Sequence, residues 1–296
     1  MAKLSSLGVI RAQGEDAAQF LQGQLTQDFA LLDTTHARLA GYCTAKGRLL
    51  ASFIGVKSAP DEILLLCSRD ILAPTLKRLS MFVLRAKLKL SDASDDFMLR
   101  GLVGDAASAL VAASLPAWSR VESGAASVVQ LYPALGRQRA LWLAPVGASE
   151  PSAPEISAEL WQWSEVHSGI ATVTLPIVEA FVPQMLNYES VGGVSFKKGC
   201  YPGQEVVARS QFRGTLKRRA YLVHCAASMT AGQEVFHSSD PEQPCGMVAQ
   251  AASAPSGGFD ALVSVQTSAA DSGALRLASG EALQLLQLPY PLLADI

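Results

Sequence analysis

Lys197-Lys198-Gly199-Cys200-Tyr201-Pro202-Gly203-Gln204-Glu205 packs two cations, a thiol, an aromatic ring, two glycines, a proline, an amide and a carboxylate into nine positions. Few of these residues suit the interior of a helix or strand. The stretch therefore reads as a tight, chemically equipped turn. Lys197 and Lys198 favour the thiolate of Cys200, the nucleophilic and metal-binding form of the residue. Gly199 and Gly203 let backbone N–H groups approach an anion. A second reading of Cys200 stands beside this one, a small buried hydrophobe. Gln204 and Glu205 either alternate on a strand or open a helix, where Glu205 complements the N-terminal dipole.

Around this turn lie Lys197, Lys198, Arg209, Arg213, Lys217, Arg218 and Arg219, with Glu205 the single acid among them. That density reads either as a docking patch for an anionic tail, such as a polyglutamate or an RNA phosphate, or as a solvated charged face. Upstream, Glu179 sits in Pro-Ile-Val-Glu-Ala-Phe-Val-Pro. It reads as a semi-buried carboxylate able to bind a paired N–H donor face, such as the aminopyrimidine edge of a pterin, or as an ordinary loop acid.

The chain of 296 residues is long enough for about two domains. Its 49% hydrophobic content supports a substantial core. A formal net charge of −2 argues against a protein that coats nucleic acid, so any tRNA contact has to be local. The start, Met1-Ala2-Lys3-Leu4-Ser5, has no apolar leader segment, and no run reaches the roughly 18 apolar residues of a membrane span. Five scattered cysteines without a CxxC, and four histidines without ligand spacing, suit a reducing cytoplasm and no familiar metal site.

The periodicity predicts a helix over 15–27 and strands over 37–43, 48–56 and 63–67. A helix over 70–82, strands over 86–90 and 97–103, a helix over 105–114 and strands over 128–132 and 140–143 follow. Residues 50–145 thus read as a mixed helix-and-sheet lobe. Residues 145–154, rich in proline, form a linker, and a helix is predicted over 155–168. Beyond Arg218 the short, regularly spaced strand-like pieces predict a small barrel or sandwich.

Phe181-Val182-Pro183-Gln184-Met185-Leu186-Asn187, the stretch from Gly192 to Glu205, Val207-Ala208-Arg209 and Arg213-Gly214 together closely resemble the YgfZ family. Weaker echoes are Phe20–Asp28 and Gly41–Arg48. The resemblance implies an α+β fold, a three-lobed ring like the T-protein of the glycine cleavage system around a central folate channel, with a C-terminal small β-barrel. The implied lobes are 1–48 plus 150–215, carrying the motif turn; 49–149; and 216–296. It implies a tetrahydrofolate-binding accessory protein that assembles or repairs iron–sulfur clusters in client enzymes, including radical enzymes that modify tRNA. Cys200, Lys198 and Glu205 are then the chemical residues, and Cys200 is a transient cluster ligand. Glu179, Tyr201, Gln204, Arg213 and Arg48 are the expected folate contacts, and iron–sulfur client or carrier proteins the expected partners. The alternative is a folate-dependent one-carbon transferase acting on a small amine or tRNA. By the resemblance, the acidic pair of a true aminomethyltransferase falls near Ala51-Ser52, which cannot act as a general base.

Overall fold

The computed structural model describes residues 1–212 and 216–293. Three antiparallel sheets organise the chain, and the strand Glu62–Ser68 shows why two of them stack. Its side chains alternate between faces. Ile63, Leu65 and Cys67 enter the largest core cluster, whereas Leu64 and Leu66 enter a second cluster with Leu99, Val129, Leu141 and Trp161. A strand buried on both faces needs a layer on each side.

The first sheet orders Ala37–Cys43, Leu49–Ala59, Glu62–Ser68, Leu7–Gln13 and Lys89–Asp92. The second orders Ala2–Lys3, Phe97–Val103, Arg137–Pro145, Ala126–Ala134 and Arg120–Ser123. Their inner faces share the second cluster, while Leu102, Val128, Ala140 and Trp142 form a third cluster on the outer face of the second sheet. The third sheet orders Leu275–Leu277, Glu234–His237, Asp240–Ser253, Phe259–Gln266, Arg218–Cys225 and Gln284–Leu286. It curls into a half-barrel around Val223, Val235, Val248, Val263 and Val265.

The helix Ala158–His167 ties the sheets together. Ser157 caps it, its hydroxyl accepting the Leu160 N–H at 3.2 Å. Trp161 lies against Gly101 of the second sheet; a Cβ built on Gly101 would stand 2.4 Å from the indole. Trp163 Nε1 donates to Asp260 Oδ2 of the half-barrel at 2.6 Å, and His167 Nε2 pairs with the same oxygen at 2.7 Å. His224 Nδ1 meets Asp260 Oδ1 at 2.7 Å. Burial pushes the Asp260 carboxyl up, but the hydrogen bonds from His167, Trp163 and His224 outweigh it and hold its pKa low.

The expected division after residue 48 does not hold. Ala37–Cys43 and Leu49–Ala59 form one hairpin with Tyr42 opposite Ala51, so a boundary there would cut a continuous hydrogen-bond ladder. Leu49–Ala59, Glu62–Ser68 and Lys89–Asp92 belong with the N-terminal strands, and 97–145 alone supply most of the second sheet. The predicted helix over 15–27 shortens to Ala17–Gln22, because Leu25 leaves it to bridge Tyr42. The alanine-rich helix over 105–114 shortens to Asp105–Ser108. Among the described residues no helix is long and apolar enough to cross a membrane.

Gly101→Val should destabilise the fold by about 2 kcal/mol or more, because the new side chain meets a fully packed indole. Denaturant titration of the purified chain checks this, and an unchanged midpoint would show that Trp161 can move aside.

Candidate functional site

Two glycine turns meet backbone to backbone. In the hairpin Thr44-Ala45-Lys46-Gly47, Thr44 N–H donates to Arg48 O at 2.8 Å and Gly47 N–H to Thr44 O at 2.9 Å. Gly47 has φ +72° and Gly203 has φ +83°, conformations that favour glycine. A Cβ on Gly203 would stand 2.4 Å from Thr44 O and 2.7 Å from Gly47 Cα. No side chain fits between these two turns. The helix Gln204–Phe212 starts at this contact, so Gln204 and Glu205 open a helix rather than alternate on a strand.

The same hairpin receives a third segment. Glu179 N–H donates to Leu49 O and Leu49 N–H to Phe181 O, both at 2.8 Å. The Arg48 guanidinium donates to Ala180 O at 2.5 Å. Glu179 has φ +61°, unusual for a residue with a Cβ, and its side chain is exposed rather than semi-buried as expected. Thus Arg48, Glu179 and Gln204 gather around one hairpin, although they lie far apart in sequence.

Lys198 fixes the turn from below. It is 8% exposed, and its ammonium donates to Gln22 O at 2.5 Å, Leu25 O at 2.9 Å and Gly199 O at 3.3 Å. It also stands 4.5 Å from the centroid of the buried Tyr201 ring. Burial lowers its pKa to about 8, against the upward pull of Asp28 and Cys200. Lys198 is therefore a positioning residue. Burial pushes the Tyr201 phenol up, so this residue stays neutral.

Of the five cysteines, all of them described, Cys200 alone is exposed. Burial pushes Cys43 and Cys67 up to about 12, which suppresses their thiolates. The reading of Cys200 as a small buried hydrophobe falls with this exposure. Glu205 is exposed in the first helical turn, and its carboxylate has no hydrogen-bond or ion-pair partner among the described residues. It does not hold the turn together; Gln204 does so weakly, its Nε2 donating to Gly199 O at 3.5 Å.

The basic cluster is smaller in space than in sequence. Lys197, Arg209 and Lys217 are exposed. Lys198 is buried as described, and Arg218 donates to Cys245 O at 2.9 Å. Arg219 pairs with the buried Glu189 at 2.9 Å. Arg213 lies outside the described residues. Ala51 and Ser52 are buried, and the Ser52 hydroxyl accepts the Val173 N–H at 2.9 Å. Their positions are structural here.

Sequence reasoning missed Glu165. A cavity of about 210 Å³ lies where the first sheet, the helix Ala158–His167 and the half-barrel meet, lined by Leu7, Ser68, Glu165, Thr172, Thr174 and Gln250, among others. Burial raises the Glu165 carboxyl pKa, and the Arg139 guanidinium opposes this. Arg139 is itself buried, stacked 4.4 Å from the Trp161 ring and donating to Ser164 Oγ at 3.0 Å. The available signal was a lone acid on the apolar helix face that carries Trp161 and Val166. Among the described residues no group of three or more His, Cys, Asp or Glu is placed to hold a metal ion.

No family model matches the chain. It is 30% identical over 235 residues to the tRNA-modifying protein YgfZ of Colwellia psychrerythraea, covering 76% of this chain and 71% of that one. It is 32% identical over 235 residues to the protein of the same name from Edwardsiella ictaluri, covering 74% and 69%. The fold matches that of aminomethyltransferase T of the glycine cleavage system from Bartonella henselae, with a TM-score of 0.70 and 16% identity over 98% of this chain and 85% of that one. The T-protein-like architecture is thereby established as the fold.

Two outcomes are expected from this geometry. The folded pKa of Lys198 lies below its ordinary value of 10.5. Folded chains therefore bind fewer protons than unfolded ones between about pH 8 and 10.5, and the penalty for burying this charge fades as pH rises through that window. Carbon-13 NMR of Lys198 Cε should titrate near 8, and a midpoint above 10 would refute the desolvation argument. Gly203→Ala should part the two turns and speed proteolysis of the 197–205 loop; unchanged protection would show that the contact is dispensable.

Proposed function

The chain belongs to the YgfZ family, and from that premise we propose that it is a folate-binding accessory protein for the assembly or repair of iron–sulfur clusters in client enzymes, tRNA-modifying radical enzymes among them. The observation that carries this reading is the exposed Cys200 on a turn locked by Gly47 and Gly203 and anchored by Lys198. An exposed cysteine beside a fixed cation is suited to take up or hand over a soft metal centre. The step is ligand exchange: the Cys200 sulfur bonds iron as the bond to the previous thiolate breaks, and the Cys200 thiol proton passes to the departing thiolate. One cysteine supplies one ligand, so a partner protein completes the set.

The residues also suit a folate. A pterin presents a paired N–H edge, which a carboxylate accepts. The inter-sheet cavity offers Glu165, with hydroxyls of Ser68, Thr172 and Thr174 around it, and has room for a ring head group rather than for a whole tailed ligand. Tyr201 is closed beneath Lys198, and Arg48 is engaged by Ala180, so these two expected contacts support the turn instead. Glu179 remains exposed on the hairpin side. Bound folate supplies a reduced ring able to carry a one-carbon unit or give up electrons. Glu165 would orient that ring, and the buried Arg139 would favour the ionised carboxyl.

The transferase alternative requires an acid close to the one-carbon donor. Ala51 and Ser52 are buried and have no ionisable group, which leaves that reading without a proton carrier at the expected place.

Cys200→Ser should lower cluster-dependent activity of a reconstituted client enzyme at least tenfold and leave folate affinity unchanged; equal client activity would overturn the reading. Glu165→Gln should weaken tetrahydrofolate binding about tenfold, read by calorimetry. For the native residue, affinity should fall as pH drops toward the raised carboxyl pKa, because the protonated group no longer accepts both N–H bonds.

A further inference from the structure

Between Ile71 and Ser91 the chain carries Lys77, Arg78, Arg85, Lys87 and Lys89 and no acidic residue. At the centre of this run, just past the helix Arg69–Ser80, Met81, Phe82 and Leu84 are 59%, 44% and 85% exposed. Val83 between them turns inward onto the main core and holds the segment down. Phe82 N–H donates to Leu79 O at 3.0 Å and Val83 N–H to Ser80 O at 3.2 Å, so the backbone continues the helix end as a turn. Three large apolar side chains are thus presented outward from an anchored turn on a segment whose own charges are all cations, with Glu15 and Asp16 meeting it at Lys87. Single exposed apolar residues are ordinary, but a contiguous set with a charged rim marks an interaction surface.

This surface adjoins the motif turn. Arg78, in the last turn of the helix, lies beside the Tyr42 hydroxyl. Tyr42 bridges Leu25, and the Leu25 carbonyl accepts the Lys198 ammonium. Cys200 follows two residues on. The helix Ala17–Gln22, about 9 Å long, spans the two: Asp16 N–H donates to Lys87 O at its start, and Gln22 O accepts the Lys198 ammonium at its end, so a protein seated on Met81–Lys89 is within reach of the turn that carries Cys200.

We propose that residues 81–89, with Lys77 and Arg78, form the docking surface for an acidic, iron–sulfur-carrying protein that exchanges its cluster with Cys200. This rests on the reading of Cys200 given above. Charge complementarity sets the sign of the partner, since Lys87 alone of these cations has an ion-pair partner among the described residues, Glu15 at 2.5 Å. Met81, Phe82 and Leu84 would fill an apolar pocket on the partner as anchors. A nucleic acid would favour more stacking rings than the single Phe82. A bilayer at this place would cover the thiol that has to meet aqueous partners.

The test uses the full chain and a purified acidic carrier protein loaded with a [2Fe–2S] cluster, with affinity read by calorimetry and cluster transfer by circular dichroism. Leu84→Asp and Arg85→Glu, both on exposed side chains, should weaken binding at least tenfold while leaving folate affinity and the rate of Cys200 alkylation unchanged. Raising the salt should weaken the native complex. Equal affinity of native and variant chains overturns the proposal, as does a native chain that ignores the carrier. Binding to anionic phosphatidylglycerol vesicles or to tRNA in place of the carrier, abolished by Leu84→Asp, overturns it in favour of those ligands. Cys200→Ser should bind the carrier normally but fail to exchange its cluster. If it exchanges normally while Leu84→Asp still weakens binding, the role of the thiol falls and the docking surface stands.

Discussion

Burying the Lys198 ammonium is the constraint on which the site depends. Taking such a charge out of water costs several kcal/mol, roughly, unless polar groups replace the lost hydration. Here the replacements are three carbonyls and one aromatic face, and two of the carbonyls come from Gln22 and Leu25 at the opposite end of the sequence. The motif turn is held only where those carbonyls are, so the N-terminal helix and the turn must form together. The ammonium stays protonated near neutral pH in this environment, with its pKa at about 8. With Lys198 facing inward, its neighbours Gly199 and Cys200 face the solvent.

The contact between Gly47 and Gly203 supplies the second dimension of that constraint. Lysine sets where the turn begins, and the glycine pair sets how closely its end approaches the hairpin. Because Arg48 and Leu49 leave the same hairpin and bind 179–181, a displacement at Gly203 is felt at Glu179 through only a few hydrogen bonds. The strained φ of Glu179 is maintained by that pairing. Three segments that are remote in sequence thus behave as one unit, and the exposed groups on it, Cys200, Glu179 and Glu205, are displayed rather than needed for its cohesion.

Much of this was legible in the chain. The density of special residues in 197–205 marked the turn, and alternation in 37–56 marked the hairpin. The short pieces beyond Arg218 marked a curled sheet. What was not legible has a common cause. The burial of Lys198 depends on acceptors more than 170 positions away, so its neighbouring cations in sequence suggested a surface patch instead. Ala17–Gln22 ends early because Leu25 is worth more bridging Tyr42 than extending a helix, a tertiary preference that periodicity does not contain. The turn 44–47 joins its two strands as the residues suggest, whereas the lobe boundary beside it came only from the family resemblance. Glu165 escaped notice since its cavity needs three separate elements to exist.

These placements bear on which chemistry the fold can house. Ala51 and Ser52 are buried, and the Ser52 hydroxyl accepts a backbone N–H. An ionised carboxylate introduced there would lose its hydration without a cation to receive it. The one exposed cysteine of the chain stands outside, on the surface of a rigid turn. Small-molecule acid–base catalysis gains from enclosure, whereas exchange with another protein requires access. An exposed Cys200 on a turn locked by its glycines and Lys198 meets the second requirement and not the first.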